Sequence, residues 1–245
     1  MNMKTGETGK EKQEIKTIVY VAREYGRIAG AGGIKDVAEG LCRAAAAAGI
    51  ETHIFLPYYQ VIQDRHDIKP VKNCGFDMPM NFPSEKRTEP VAVYDLVQDG
   101  VNIHLIKARL YDYLTEGNNI PRRGIYQYTR EEAAALGRPE IAGTGYYSFF
   151  AMNVLLVKAA LCALGRMDIR PDMVHCHDGH AALLPLIAQA SQEDWMPSYL
   201  RSVPSVVTVH NAGMGYHQDI ADLEFAAAVC GVPLEVVNGC ILNNS

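Results

Sequence analysis

Ile18–Val37, IVYVAREYGRIAGAGGIKDV, is the stretch on which the reading of this chain turns. It opens with a β-branched apolar run, Ile18-Val19-Tyr20-Val21-Ala22, of the length of a buried strand. A polar loop runs from Arg23 to Ala31 and ends on the pair Gly32-Gly33. Ile34, Val37, Ala38, Leu41, Cys42 and the alanines 44–48 then recur with helical spacing, and Gly49 closes the run. Strand, glycine turn and helix N-terminus place backbone N–H groups where an anion can sit. Glycine there lets a phosphate or a sugar approach the backbone, whereas a Cβ would hold it off. The competing explanation is a tight turn that needs glycine for a positive φ.

Outward from this unit, Glu51–Leu56 reads as a second strand ended by Pro57, so strand, helix and strand form a βαβ unit. Residues 60–88, with Pro70, Pro79 and Pro83, read as irregular. The runs 91–98 and 101–108 flank Asp99-Gly100, a strong hairpin signal, and predict an antiparallel insertion into a parallel sheet. Tyrosines crowd residues 109–147 (Tyr111, Tyr113, Tyr126, Tyr128, Tyr146 and Tyr147), where they suit either sugar stacking or loop packing. Ser148–Leu164 reads as a long buried helix with Gly165 after it. Met173–Cys176 is a short strand that delivers His177-Asp178-Gly179-His180 to its carboxyl end, ahead of a helix over 181–190. Ser202–Val209 is another strand, with His210-Asn211 at its end and a flexible segment after it. A helix over 220–229 and a last fragment, 234–245, follow. Ligands of open α/β sheets bind beyond the carboxyl ends of the strands. Three such ends here carry Glu24 with Gly32 and Gly33, Asp178 with His180, and His210 with Asn211.

The chain has 245 residues and a formal charge of −5, with 48% hydrophobic residues, which suits a globular protein and gives nucleic acid no basic surface. By sequence, no apolar run comes close to the roughly 20 residues of a membrane span. The polar opening, residues 1–15, reads as a flexible lead-in without the apolar core of a signal peptide. The 6 cysteines are scattered without CxxC spacing and read as reduced, which implies the cytoplasm. A metal site on His175, Cys176, His177 and His180 finds no completing ligand set elsewhere, so no metal is expected. Dinucleotide binding is disfavoured because Gly30, Gly32 and Gly33 give GxGG where GxGxxG is required.

Four blocks, taken together and in order, resemble the N-terminal half of bacterial glycogen synthases and plant starch synthases. They are REYGRIAGAGGIKDV with LPYYQVI, LIKARLYDY, PDMVHCHDGHAALLP and VVTVHNAGMGY. The resemblance runs from about residue 16 to residue 237. It implies one Rossmann-like domain over 16–245, half of a GT-B glycosyltransferase whose C-terminal domain is missing from this chain. It also implies a retaining transferase that moves glucose from a nucleotide sugar, ADP-glucose, to an α-1,4-glucan, with no cofactor beyond that donor. By position, Gly32 and Gly33 fall on the donor-phosphate turn and Asp36 points toward the sugar site. Glu24 matches the acid that opens the first loop. Asp178 and His180 fall on the family's HDWH block at the acceptor cleft, and His210 with Asn211 on its VHN block at the transferred glucose. Tyr111 is counted with the substrate contacts. Asp178 and His210 are the implied catalytic pair.

Three positions depart from the pattern: Gly30 stands where the family has a phosphate-facing lysine, Arg23 where it has serine, and Gly179 where it has tryptophan. Lys35, Arg27 or Arg23 are the candidates to replace the lost cation. Other readings of the residues are a non-catalytic glucan-binding or regulatory module, and a GT-B transferase with another acceptor.

Overall fold

The computed structural model describes residues 14–62, 67–115, 119–211, 220 and 222–240. Most of the lead-in expected over 1–15, and the flexible segment expected after Asn211, lie outside the described residues. Seven strands form one sheet in the order β3-β4-β5-β2-β1-β6-β7.

Strand β1 (Thr17–Val21) leads through the loop 22–33 to helix α1 (Ile34–Ala47) and strand β2 (Glu51–Pro57), which pairs parallel to β1. The helix stops where expected, with Gly49 at φ +83° just beyond it. Ile34, Ala38 and Cys42, one helical turn apart, are its buried positions. Ala38 and Cys42 cover one face of the sheet together with Tyr20, Ile54, Leu56, Ile103 and Leu105.

Residues 60–88 hold more order than their prolines suggest. Strand β3 (Lys69–Pro79) runs through most of the segment and pairs antiparallel to β4 (Thr88–Gln98). Pro70 and Pro79 lie near its ends on the outer edge of the sheet, where a missing N–H breaks no ladder. A register shift between Pro70 and Gly75, with Asn73 at φ +58°, bends this edge. Strand β5 (Val101–Ala108) returns from β4 through Asp99 (φ +52°) and Gly100 (φ +77°), both left-handed as a two-residue hairpin turn requires. It then joins β2 in parallel. The expected hairpin is therefore part of a three-stranded antiparallel extension.

Short helices α2 (Arg109–Asp112) and α3 (Arg130–Ala135) belong to the connection that leads to α4 (Phe149–Arg166). Helix α4 is apolar around its circumference and packs on the second face of the sheet, against Val19, Val21, Phe55 and Ile106. Its 18-residue window has a mean hydropathy of 1.6, so by length and composition it is long and apolar enough to cross a membrane, contrary to the sequence reading. In the fold 78% of that window is buried, and it carries the buried polar side chains Asn153 and Lys158. Gly165 lies inside its last turn because a Cβ there would come within 2.2 Å of Pro197.

Strand β6 (Met173–His177) pairs parallel to β1 on the side away from β2. The single helix expected over 181–190 is two pieces, α5 (Asp178–Ala181) and α6 (Leu184–Ala190). A 3-10 turn (Ser198–Ser202) takes the first residue of the next expected strand, and β7 is shorter, Ser205–Thr208, parallel to β6 at the other edge. Helices α7 (Leu223–Cys230) and α8 (Leu234–Gly239) follow. From β1 the chain goes to β2 on one side and later to β6 on the other. The strand order thus reverses at β1/β6, and in such sheets that point opens the ligand crevice.

Candidate functional site

The carboxyl ends of β1, β6 and β7 bring the loops after them to this switch point. Glu24, one residue past Arg23, is 1% exposed, and its Oε2 accepts hydrogen bonds from the backbone N–H groups of Ala31 (2.7 Å) and Gly32 (2.8 Å). The glycine turn that the sequence offers to an anion therefore already holds one, the chain's own carboxylate. The Tyr126 hydroxyl donates to the other oxygen of Glu24. Neither Gly32 nor Gly33 is among the glycines with positive φ, so the turn geometry does not demand them. A Cβ on Gly33 would meet nothing within 4 Å, and Asp36 beyond it is exposed, with Lys35 Nζ at 3.7 Å. At Gly30 a Cβ would come within 2.2 Å of Lys35 Cδ. The stem of Lys35 thus occupies the space a side chain at position 30 would take.

Arg23 does not reach toward this turn. It is 1% exposed and donates to Tyr59 Oη (3.1 Å), Asn153 Oδ1 (3.0 Å) and the Ile125 carbonyl (2.6 Å). Its guanidinium lies over the rings of Tyr126 (5.1 Å) and Phe149 (4.9 Å). Arg27 is exposed.

At the end of β6, Asp178 adopts φ +60°, an uncommon conformation for a residue with a side chain. It is 1% exposed, and neither carboxylate oxygen has a hydrogen-bond partner among the described residues. A buried carboxylate without donors is costly and marks a site where something else is meant to bind. His177, fully buried, shares a 2.9 Å hydrogen bond through Nδ1 with Nε2 of His210, and their rings are stacked 5.2 Å apart. His177 Nε2 and His180 Nδ1 are buried without partners among the described residues. The His180 ring stacks on Tyr126 (5.0 Å) and meets Phe149 edge-on (5.5 Å). His175 extends the row of imidazoles by stacking on His177 (4.6 Å) and bonding Thr208 Oγ1 (2.7 Å). The described residues contain no group of three or more His, Cys, Asp or Glu able to hold a metal ion.

Burial is the main reason the His177 and His180 pKa values fall to about 3; His175 and His210 add to it for the first, Arg23 for the second. Unfolded imidazoles titrate near 6.5, so below that value the unfolded chain binds more protons than the folded one. The stability these neutral rings carry is therefore complete above pH ~6.5 and declines as pH falls toward 3. Denaturant melts at pH 7 and pH 5 should differ by about 2 kcal/mol for each ring. Equal stability at the two values would show that both rings titrate normally.

Five of the nine sequence-derived residues are thus linked: Glu24 to Gly32 by hydrogen bond and to His180 through Tyr126, and Asp178 to His180 along one turn, which reaches His210 through the bond that His177 makes to it. Gly33 and Asp36 lie beside this cluster at the start of α1, and Asn211 is exposed after His210. Tyr111 is a correction. It is wholly buried, donates to the Met152 carbonyl (2.8 Å) and has no surface to offer a sugar. Phe149 and Arg23 are the members that sequence reasoning placed elsewhere. A separate cavity of about 550 Å³, lined by Phe82, Glu85, Glu193 and Gly231, touches none of these residues.

A mostly parallel sheet with its polar cluster at the strand-order reversal defines a Rossmann-like α/β fold with a ligand crevice at that point. The family model of the starch synthase catalytic domain matches residues 17–235, and the chain belongs to that family. It is 25% identical over 221 residues to the glycogen synthase of Lachnospira eligens, covering 90% of this chain and 39% of that protein. To the glycogen synthase of Moorella thermoacetica it is 27% identical over 195 residues, 79% of this chain and 33% of the relative. The catalytic domain of Starch Synthase IV from Arabidopsis thaliana, solved with ADP and acarbose, superposes with a TM-score of 0.65 at 20% identity, over 90% of this chain and 38% of that one. The chain thus spans little more than a third of the length of these relatives.

Proposed function

We propose that this chain is the acceptor-side half of a retaining glucosyltransferase of the glycogen and starch synthase type. The full reaction would carry glucose from a nucleotide sugar, ADP-glucose by family resemblance, to the non-reducing end of an α-1,4-glucan. The acceptor hydroxyl forms the new bond to the anomeric carbon with retention of configuration, the bond to the diphosphate breaks, and the diphosphate leaves with the electron pair. The observation that carries this reading is Asp178, a buried carboxylate with two unpartnered oxygens beside His177 and His180 at the strand-order reversal. Sugar hydroxyls are the donors that such a carboxylate lacks. His210 is assigned to the transferred glucose, with Asn211 next to it. His180 and Asp178 face the acceptor, and Glu24 orders the turn that carries Gly32, Gly33 and Asp36. Five buried unpaired cysteines suit the reducing cytoplasm as the compartment.

Residues 1–245 alone are proposed to be inactive or nearly so. Positioning of both reactants contributes about 7–11 kcal/mol to such catalysis, and in GT-B enzymes the donor phosphates are held mainly by the second domain. A coupled assay with ADP-glucose and maltoheptaose should give no product with this chain and glucan extension when the C-terminal half of a glycogen synthase is appended. Turnover by the chain alone would refute the half-enzyme assignment. The alternative of a non-catalytic glucan-binding module draws on one observation, that the amides of Ala31 and Gly32 are taken by Glu24.

Lys35 is proposed as the donor-phosphate cation in place of the family's lysine at position 30, because its stem lies over Gly30. In the completed enzyme Lys35→Ala should weaken nucleotide-sugar affinity about tenfold, the value of one charged hydrogen bond. Gly30→Lys combined with Lys35→Ala should restore it. An unchanged dissociation constant for Lys35→Ala would remove Lys35 from the site.

A further inference from the structure

Two residues that the resemblance treats separately, Arg23 and His180, share the same pair of rings. Tyr126 carries the Arg23 guanidinium at 5.1 Å and the His180 imidazole at 5.0 Å. Phe149 carries the guanidinium at 4.9 Å and the imidazole at 5.5 Å. Arg23 is 1% exposed, and its hydrogen bonds go to a hydroxyl, an amide oxygen and a carbonyl, none of them to a carboxylate. Its full charge therefore stands in a desolvated cage beside the imidazole, where a second positive charge would be strongly disfavoured. His180 Nδ1 is buried and unpartnered.

We propose that Arg23 is a positioning residue that holds His180 as an uncharged imidazole, so that His180 serves a neutral sugar hydroxyl and gives a diphosphate no cation. This rests on the glucan-acceptor reading for the nature of the ligand, though not for the state of the ring. A neutral imidazole both donates and accepts, as a hydroxyl does, and pairs with it at little desolvation penalty. The other titratable groups around the ring act less directly. Glu24 lies behind Tyr126, bonded to its hydroxyl and to the amides of Ala31 and Gly32. Asp178 is on the same turn as His180, and Tyr59 bonds Arg23 from the far side of the cage. Burial and the Arg23 charge both depress the His180 pKa, in keeping with this arrangement.

The test is the titration of the imidazole signals of the whole chain by NMR from pH 8 down to pH ~3.5, with His180 assigned by its absence in His180→Gln. His180 should keep neutral-ring shifts down to pH ~5, and a midpoint near 6.5 would overturn the proposal. Arg23→Met keeps the volume and removes the charge, and should bring the His180 midpoint up by at least about one pH unit, whereas Arg23→Lys should leave it low. A His180 midpoint that does not rise in Arg23→Met would assign the effect to burial alone and also overturn the proposal. If Arg23→Met does not fold, the parent chain and Arg23→Lys still decide, since a normal His180 titration in Arg23→Lys contradicts a role for the charge. In calorimetry with maltoheptaose, Arg23→Met should begin to lose affinity at a higher pH than the parent chain, by about the interval through which its His180 midpoint moves. No binding of maltoheptaose by any form, with the NMR result intact, would overturn the glucan reading and leave the Arg23 assignment standing.

Discussion

Asp178→Asn should make the chain more stable and the completed enzyme almost inert. The carboxylate is 1% exposed with no donor to either oxygen among the described residues, so folding desolvates it without return. Asparagine keeps the size and tolerates φ +60° at least as well as aspartate. Removal of the charge alone should raise unfolding free energy by about 1–2 kcal/mol. An amide, however, offers one acceptor oxygen in place of two and carries no charge, so it holds and polarises the acceptor hydroxyls far less strongly. Loss of such an electrostatic group lowers turnover by about 100-fold or more. Opposite signs in a urea melt and an activity assay are the signature of a residue kept for function at the expense of stability. A variant that is less stable yet fully active would show Asp178 to be structural.

Glu132→Ala should be the most damaging single change away from the site. Glu132 is 1% exposed and forms the capping box of α3, its Oε2 accepting from Thr129 N (2.6 Å) while its own N–H bonds Thr129 Oγ1 (3.2 Å). Its carboxylate also accepts from the N–H groups of Arg123 and Gly124 and from the hydroxyl of Tyr146. Arg122, whose guanidinium lies 4.1 Å over the Tyr146 ring, completes a buried cluster. Truncation strands several buried donors at once and should cost about 3–5 kcal/mol. Tyr126 lies in the loop this carboxylate organises, so the wall behind His180 should loosen too. Glu132→Gln, which keeps acceptor geometry, should recover part of the loss. Thermal melts of the two variants check this, and a loss below 1 kcal/mol for Glu132→Ala would be at odds with so many shared bonds.

Sequence periodicity revealed β1, α1, β2, β4, β5, α4 and β6 because each carries an apolar pattern on a face that must be buried. It failed at β3, an edge strand whose prolines and exposed alternate residues look like loop until a neighbour is placed beside them. Helix α4 carries Lys158 in its interior, which obscures how far its apolar run extends. Within the site, the residues at strand ends were legible because the βαβ rule fixes where ligands bind. The failures there have one cause, contacts made by segments far apart in sequence. Tyr111 and Tyr126 sit in the same tyrosine-rich stretch, yet one closes on Met152 in the core and the other on Glu24 at the site. Arg23 follows a strand and precedes a polar loop, which suggests solvent; its cage is built by Tyr59, Tyr126 and Phe149. The capture of the glycine turn by Glu24 likewise involves a pairing across seven and eight residues that no motif announces.

The assignment of this chain to the acceptor side is tested most directly by calorimetric titration of residues 1–245 with maltoheptaose and, separately, with ADP-glucose, repeated on His210→Ala. Measurable maltoheptaose binding, weaker in His210→Ala, with little or no ADP-glucose binding is the expected result. Tight ADP-glucose binding without maltoheptaose, or binding of neither while a UDP-sugar or a small acceptor binds, would contradict it.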